Sequence, residues 1–187
     1  MALKTNFLLL SLLCVPAFAA EKTLVLDPAN SQLEFNAVGR PAMIKIKGKD
    51  ATVTGSLSLK AGKASGTVQA DLNQFHTGID MRDHHMKEKY LETGKPGYQN
   101  AVLAISDLEI PSAGEKKGVA FHGKLTLHGV QKEVTGTTDL SVKDAAVTGT
   151  AHFPIKISEY AITLPTFAGA TMAEDVDVEV HFQAKIN

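Results

Sequence analysis

Apolar and polar residues alternate along most of this chain, with the period of two that is typical of β-strands with one dry face and one wet face. The clearest case is residues 176–186, where apolar side chains occupy every second position and polar side chains the positions between them. The same alternation recurs in residues 33–37, 53–59, 64–72, 119–127, 130–142 and 145–157. A further stretch, residues 101–110, is apolar on both parities. The pattern predicts about eight strands.

Short turn sequences separate these strands. Residues 61–63, 128–129 and 143–144 combine glycine, aspartate or lysine between two apolar runs, which is typical of hairpin turns. Neighbouring strands are therefore predicted to pair antiparallel. A sheet of about eight such strands hides both of its edges by closing on itself. We predict an all-β fold, an antiparallel β-barrel of about eight strands.

One segment departs from the alternation and predicts a short helix inserted between two strands. In residues 79–91, Ile79, Met86 and Tyr90 fall on one helical face, and Asp80 is placed to cap the start.

Charged residues on this helix are predicted to fasten it to the barrel. Arg82 and Asp83 stand beside the apolar face as a pair that must satisfy each other, and Asp83 is also four residues from Lys87. We therefore expect Arg82 and Asp83 to be structural. A second irregular stretch, residues 164–173, is predicted to be a loop over one mouth of the barrel.

The inward parity decides whether the barrel is hollow. In a closed barrel every dry face points to the axis, and seven large apolar residues on that parity are predicted to line one continuous ligand tunnel: Phe35, Val68, Phe121, Leu125, Phe153, Ile155 and Phe182. Small residues share the parity: Gly55, Ala64, Gly66, Ala70, Gly123, Gly136, Gly149, Ala151 and Ala184. They either leave volume for a ligand or mark strand bends and bulges. The residues alone leave both interpretations open.

The start of the chain has the order of a signal peptide. Lys4 precedes an apolar run over residues 7–15, and the small-x-small pattern of residues 17–19 follows. We predict a signal peptide over residues 1–19 and a single domain over residues 20–187, with no membrane-spanning segment after cleavage. Two alternatives are a buried N-terminal helix and a lipid anchor at Cys14. Leu13, rather than a small residue, precedes that cysteine.

Charge and motifs exclude several classes of function. The net charge is −1, and basic residues do not form a patch, so nucleic acid is not an expected partner. Enzyme motifs such as Gly-x-Ser-x-Gly, a phosphate loop or His-Glu-x-x-His are missing, and we predict no catalytic residues and no cofactor. His122, His128 and His181 take the outward parity of their strands and are predicted to be surface residues.

One face of the predicted helix has the residue spacing of a metal site. Asp80, His84 and Glu88 share that face at four-residue steps, and oxygen and imidazole ligands at this spacing can bind a divalent metal. A solvated polar face, with His84 held by a carboxylate, is the favoured interpretation because no further ligand is identifiable. We therefore predict no metal site.

Three segments carry a family resemblance. Residues 82–86, Arg-Asp-His-His-Met, resemble the Arg-Asp-x-His-Leu/Met of the YceI-like family at the start of its inserted helix. Residues 121–132 are similar to the family's Gly-x-Leu-x-Leu-x-Gly-Val-x-Lys segment, and residues 175–180 resemble its closing strand. Asn30 departs from the usual Asp-x-x-His-Ser, Gly39-Arg40 from a second histidine, and residues 159–162 from Asp-Phe-Gly-Ile.

The resemblance implies an extended lipocalin-like barrel in the bacterial periplasm, with an apolar tunnel. The ligand class it implies is an isoprenoid chain, a quinone tail or a fatty-acyl chain, held for carriage or storage. An envelope enzyme or redox accessory using the pocket as an active site is the alternative, and a purely structural or partner-binding barrel is a third. A homodimer through the open barrel ends is one arrangement that stays open.

Overall fold

The computed structural model of the chain describes residues 21–40, 44–167 and 170–187 and contains ten strands and one short helix in those ranges. The helix α1 (Asp80–His85) continues as a π-helical turn over Met86–Tyr90. The strands are β1 (Lys22–Leu26), β2 (Gln32–Arg40), β3 (Lys45–Lys60), β4 (Lys63–Asp71), β5 (Asn100–Glu109), β6 (Gly114–Leu127), β7 (Val130–Lys143), β8 (Ala146–Lys156), β9 (Thr166–Phe167) and β10 (Ala170–Ile186). The predicted signal peptide lies outside the described residues.

The strands form a closed antiparallel barrel. Each strand from β2 to β7 pairs with the next in sequence, and β10 pairs with both β8 and β2. The barrel has eight strand positions around its circumference. Strands β1 and β2 follow one another in a single position, because both pair with β10 on one side and with β3 on the other. The predicted fold class, an antiparallel barrel with one inserted helix, is confirmed.

A short 3-10 turn, Pro28–Asn30, separates β1 from β2 within their shared strand position. Asp27 holds the turn, because its carboxylate accepts hydrogen bonds from the backbone N–H of Ala29 at 3.1 Å and from the Asn30 side chain at 2.7 Å. Ser31 is fully buried, and its hydroxyl donates to the carbonyl of Gln183 and accepts from the N–H of the same residue, both at 3.2 Å. The serine thus joins the start of β2 to β10, next to the turn that interrupts β1 and β2.

Burial follows the alternation that the sequence shows. In β10, Val176, Val178 and Ala184 are buried, whereas Asp175 and Asp177 are exposed.

The ambiguous stretch over residues 101–110 is a single bulged strand. Asp107 adopts a φ of 63°, and the pairing of β5 with β4 shifts register at this point. The bulge changes the inward parity, so that Leu103 and Leu108 are both buried although they lie an odd number of residues apart. This change of parity places the inward residues before the bulge, Leu103 and Ile105, on odd positions and those after it, Leu108 and Ile110, on even positions.

The inward glycines are points of close packing, so the interpretation that they leave empty volume is wrong for them. A Cβ built on Gly136 would lie 2.4 Å from the carbonyl oxygen of His152, and one on Gly66 would lie 2.5 Å from that of Ser56. Phenylalanine rings also lie over glycines directly opposite them on the neighbouring strand. These pairs are Phe35 with Gly48, Phe121 with Gly136 and Phe182 with Gly149.

Two local predictions are wrong. The N-cap of α1 is Ile79 without a side-chain hydrogen bond, so Asp80 does not cap the helix. Residues 164–173 are not simply a loop, because β9 and the start of β10 lie within them and pair through Thr166 and Thr171. Strand β10 begins earlier than the alternation shows because residues 170–173 lack a clear polar-apolar period.

Among the described residues, no helix has both the length and the apolar character needed to cross a membrane.

Candidate ligand cavity

The barrel contains a cavity of about 300 Å³ beneath the inserted helix. Its wall is almost entirely apolar and comes from the inward faces of β2, β3, β5, β6, β8 and β10, from α1 and from the segments around β9. Three apolar residues on this wall, Ile44, Ile79 and Met81, are 43%, 53% and 64% exposed. They mark the opening of the cavity, between the helix and the start of β3.

A smaller cavity of about 80 Å³ continues the interior toward β1. Leu24 and Leu26 line it, together with residues of β3 to β5. The two cavities share four wall residues: Leu33, Ala101, Leu125 and Phe153. The interior therefore consists of two apolar chambers that meet at these side chains.

The structure places all seven predicted tunnel residues on the walls of these two chambers. Phe35 and Ile155 line the larger chamber, and Leu125 and Phe153 line both. The smaller chamber is lined by the remaining three: Val68, Phe121 and Phe182. That these side chains contact a ligand stays a prediction.

Sequence reasoning missed the wall residues that lie outside the regular strands. Phe75, after the 3-10 turn Leu72–Gln74, is 4% exposed and packs edge-on against Phe35 with ring centroids 5.1 Å apart. Ile162, after the 3-10 turn Ile157–Tyr160, lies on the same wall. The available signal was a large apolar residue within a polar segment, which the strand parity does not cover.

Polar groups at the opening are organised around Thr77. Arg82 donates from Nε to the Thr77 hydroxyl at 2.7 Å and from Nη2 to the Thr77 carbonyl at 2.6 Å. Asp83 is buried and accepts hydrogen bonds from both the N–H and the hydroxyl of Thr77. Burial raises the pKa of Asp83, but the Thr77 hydrogen bonds, with nearby His76 and Lys87, outweigh it and hold that pKa below its ordinary value.

The predicted direct pairing of Arg82 with Asp83 is therefore wrong, because both side chains bind Thr77 instead. The carboxylate of Asp83 lies 3.6 Å from Nδ1 of His76, and Lys87 forms no ion pair with it. His76 pairs through its backbone with Lys49 of β3, by two hydrogen bonds of 3.0 Å. This chain of contacts ties the start of the helix to the barrel.

The other end of the helical segment is tied through His128, which is buried, so its assignment to the surface is wrong. Its Nε2 lies 2.9 Å from the carboxylate of Glu92, just after the helix, and its Nδ1 lies 3.1 Å from the carbonyl of Tyr160. His128 has a φ of 51° in the turn between β6 and β7, where strand parity no longer sets the side-chain direction. Burial raises the pKa of Tyr160 to about 12.

The polar helical face is exposed. His84 Nδ1 lies 3.2 Å from a carboxylate oxygen of Glu88, as the interpretation of a solvated face expects. His122 and His181 are exposed, as predicted.

The fold resembles several solved structures of low sequence identity. A polyisoprenoid binding domain from Saccharophagus degradans, implicated in plant cell wall breakdown, has a TM-score of 0.69 at 18% identity and covers 88% of this chain and 98% of its own. BcnA from Burkholderia cenocepacia has a TM-score of 0.68 at 20% identity, with 86% and 99% covered. A YCEI protein from Campylobacter jejuni has a TM-score of 0.54 at 15% identity, with 74% and 86% covered.

Family membership follows from the sequence itself. A comparison with curated proteins returned no match. The sequence profile of the YceI-like domain matches residues 24–184, which span nearly all of the barrel from β1 to the end of β10. This chain belongs to the YceI-like family.

Proposed function

We propose that this protein binds one long apolar chain, an isoprenoid, a quinone tail or a fatty-acyl chain, inside its barrel and carries or stores it in the periplasm. The observation that carries the proposal is the large apolar interior. At about 24 cal/mol per Å³, a cavity of 300 Å³ that stayed empty of water and lipid would cost up to about 7 kcal/mol, which is comparable to the total stability of a domain. A bound hydrocarbon removes that cost.

The opening supports a ligand with a polar end. Arg82 and His85 lie on the wall beside the exposed Ile79 and Met81. The Arg82 contacts with Thr77 use two of the five N–H donors of a guanidinium, which leaves donors for the oxygens of a head group. In this arrangement the apolar chain lies inside and the polar end lies at the opening, beside the helix.

The similar domain from Saccharophagus degradans is described as polyisoprenoid binding, and that description supports the ligand class proposed here. The low solubility of such chains gives a carrier its purpose, because each CH2 removed from water is worth about 0.8 kcal/mol. Export is part of the proposal, and N-terminal sequencing of the mature protein should find Ala20 as its first residue.

A pair of tryptophan variants on one strand tests ligand placement. Ala101 lies on the wall that the two chambers share, whereas Ala104 on the same strand is exposed. Ala101→Trp should fold and lose the lipid that copurifies with wild-type protein, and Ala104→Trp should keep it, as measured by mass spectrometry of organic extracts.

Equal lipid content in the two folded variants would contradict the proposed ligand position. Conversion of the extracted lipid during incubation with the protein would favour the alternative, an envelope enzyme. The oligomeric state, including a homodimer, stays a prediction that light scattering can test.

A further inference from the structure

The outer surface of the barrel carries a cluster of metal-binding side chains where the first and last parts of the chain meet. Glu34 of β2 and Glu179 of β10 are directly opposite each other, and His181 follows Glu179 on the same face of β10. One potential ligand atom from each of these three side chains lies within 4.8 Å of the other two. Among the described residues, this is the one group of three such side chains that comes so close together.

The charge of this cluster favours a cation. Two carboxylates directly opposite each other on neighbouring strands repel, and such a pair destabilises a sheet unless a positive charge lies nearby. Lys47 of β3 supplies one positive charge through an ion pair with Glu34 Oε2. The second carboxylate, Glu179, lies within ion-pair distance of imidazoles, with His181 Nε2 at 2.6 Å and His152 Nδ1 at 3.7 Å, and Lys47 acts on it from a longer distance.

The histidine is oriented as metal-binding histidines commonly are. His181 Nδ1 lies 3.1 Å from the hydroxyl of Thr150 on β8, and the hydroxyl can accept or donate this hydrogen bond. With Nδ1–H donating to Thr150, the lone pair of Nε2 points toward Glu179. A ligating histidine typically donates its other ring N–H to such a partner, which fixes the tautomer and the ring orientation.

We propose that Glu34, Glu179 and His181 form a surface site for a divalent cation of the zinc type. One imidazole nitrogen with two carboxylate oxygens suits Zn²⁺, whereas Ca²⁺ and Mg²⁺ prefer oxygen ligands alone. The cation lies between His181 Nε2 and Glu179 and competes with the Lys47 ammonium for Glu34. Strands β2 and β10 come from opposite ends of the domain, and their pairing closes the barrel. The bound ion therefore stabilises the contact between these two strands.

Titration of Zn²⁺ into the exported protein, purified without a histidine tag and stripped with a chelator, tests this site by calorimetry. Wild-type protein should bind one ion per chain. Glu179→Gln and His181→Ala should each weaken binding by at least about tenfold, since removing even an outer partner of a metal site typically costs that much. Lys47→Met should tighten binding because it removes the competing cation.

Two exposed histidines provide controls. His122→Ala, on the outer face of β6, and His84→Ala, on the helix beside Glu88, should leave the affinity unchanged. Zn²⁺ should also raise the thermal midpoint of wild-type protein but not that of His181→Ala, because an ion that binds only the folded state stabilises it.

Three results would overturn the proposal. They are the absence of stoichiometric Zn²⁺ binding, equal binding by His181→Ala and wild type, and loss of binding in His84→Ala. The variants change exposed or half-buried side chains, so each should stay folded without metal, and a cooperative melt of each variant without metal excludes misfolding as the cause.

Discussion

Replacing Gly136 with alanine tests the close packing of the barrel wall, because two arguments predict opposite signs. A glycine inside a strand is less favourable than alanine by about 0.5–1 kcal/mol, so local propensity predicts that Gly136→Ala stabilises the protein. The structure predicts the reverse. The new Cβ would lie 2.4 Å from the carbonyl oxygen of His152 and 2.7 Å from two ring carbons of Phe121.

The size of the destabilisation depends on which neighbouring atoms can move away from the new Cβ. The ring of Phe121 can turn, but it also packs edge-on against Phe153 with centroids 5.8 Å apart. The carbonyl of His152 belongs to β8, which is paired on both sides, so relief there requires movement of the strand. Overpacking of this kind costs about 1–3 kcal/mol, which exceeds the gain from propensity. We expect Gly136→Ala to be destabilised by about 1–2 kcal/mol overall.

Urea unfolding of the delipidated protein measures this difference, with Gly94→Ala as the matched control. A Cβ at Gly94 would meet nothing within 4 Å, so that variant should be neutral or more stable by about 0.4–1 kcal/mol. A Phe121→Leu change in the Gly136→Ala background should restore only part of the loss, because the contact with His152 remains. A Gly136→Ala protein as stable as wild type would refute the close-packing argument.

Three further predictions concern the supports of the barrel and its opening. Ser31→Ala should destabilise the protein by about 1–3 kcal/mol in urea unfolding, because the backbone N–H of Gln183 loses a buried partner. A loss smaller than the error of the urea measurement would count against this bond. The pKa of Asp83 lies below its ordinary value of 3.8 in the folded state, so the stability it contributes is present above that value and disappears as the pH falls through the folded pKa. Asp83→Asn should therefore be less stable than wild type near about pH 7, with the gap closing as the pH falls below the ordinary value of 3.8, and a constant gap would exclude this linkage. Arg82→Gln should weaken the binding of a fatty acid by about tenfold more than the binding of the alcohol of equal chain length, since a hydrogen bond to a charged group is worth about 1.5–3 kcal/mol. A fluorescent displacement assay measures both affinities. Equal losses for the acid and the alcohol would place Arg82 away from the head group.

The strands and their inward faces follow from the sequence because each has one dry and one wet side. The period of two in residues 176–186 reports that arrangement directly, and the seven residues chosen on the inward parity all lie on chamber walls. The bulge at Asp107 is harder to predict, because it changes the parity within one strand without a glycine or proline to mark it.

Side-chain contacts between segments that are distant in the chain could not be predicted from the sequence. His128 lies in a turn, where strand parity gives no side-chain direction, and its partner Glu92 follows the helix far earlier in the chain. Thr77 is an ordinary polar residue in a loop, and only the fold brings Arg82 and Asp83 to it. The glycines were ambiguous because a glycine that leaves space and one that meets a ring on the next strand have the same sequence pattern.

Native mass spectrometry of wild-type protein, purified from the periplasm without detergent, tests the central claim most directly. The account predicts a population whose mass exceeds that of the chain beginning at Ala20 by one lipid of the isoprenoid, quinone or fatty-acyl class, and collisional activation should release that lipid. A protein that carries only its own mass, and that gains none after incubation with such lipids, would contradict the claim that the barrel holds an apolar chain.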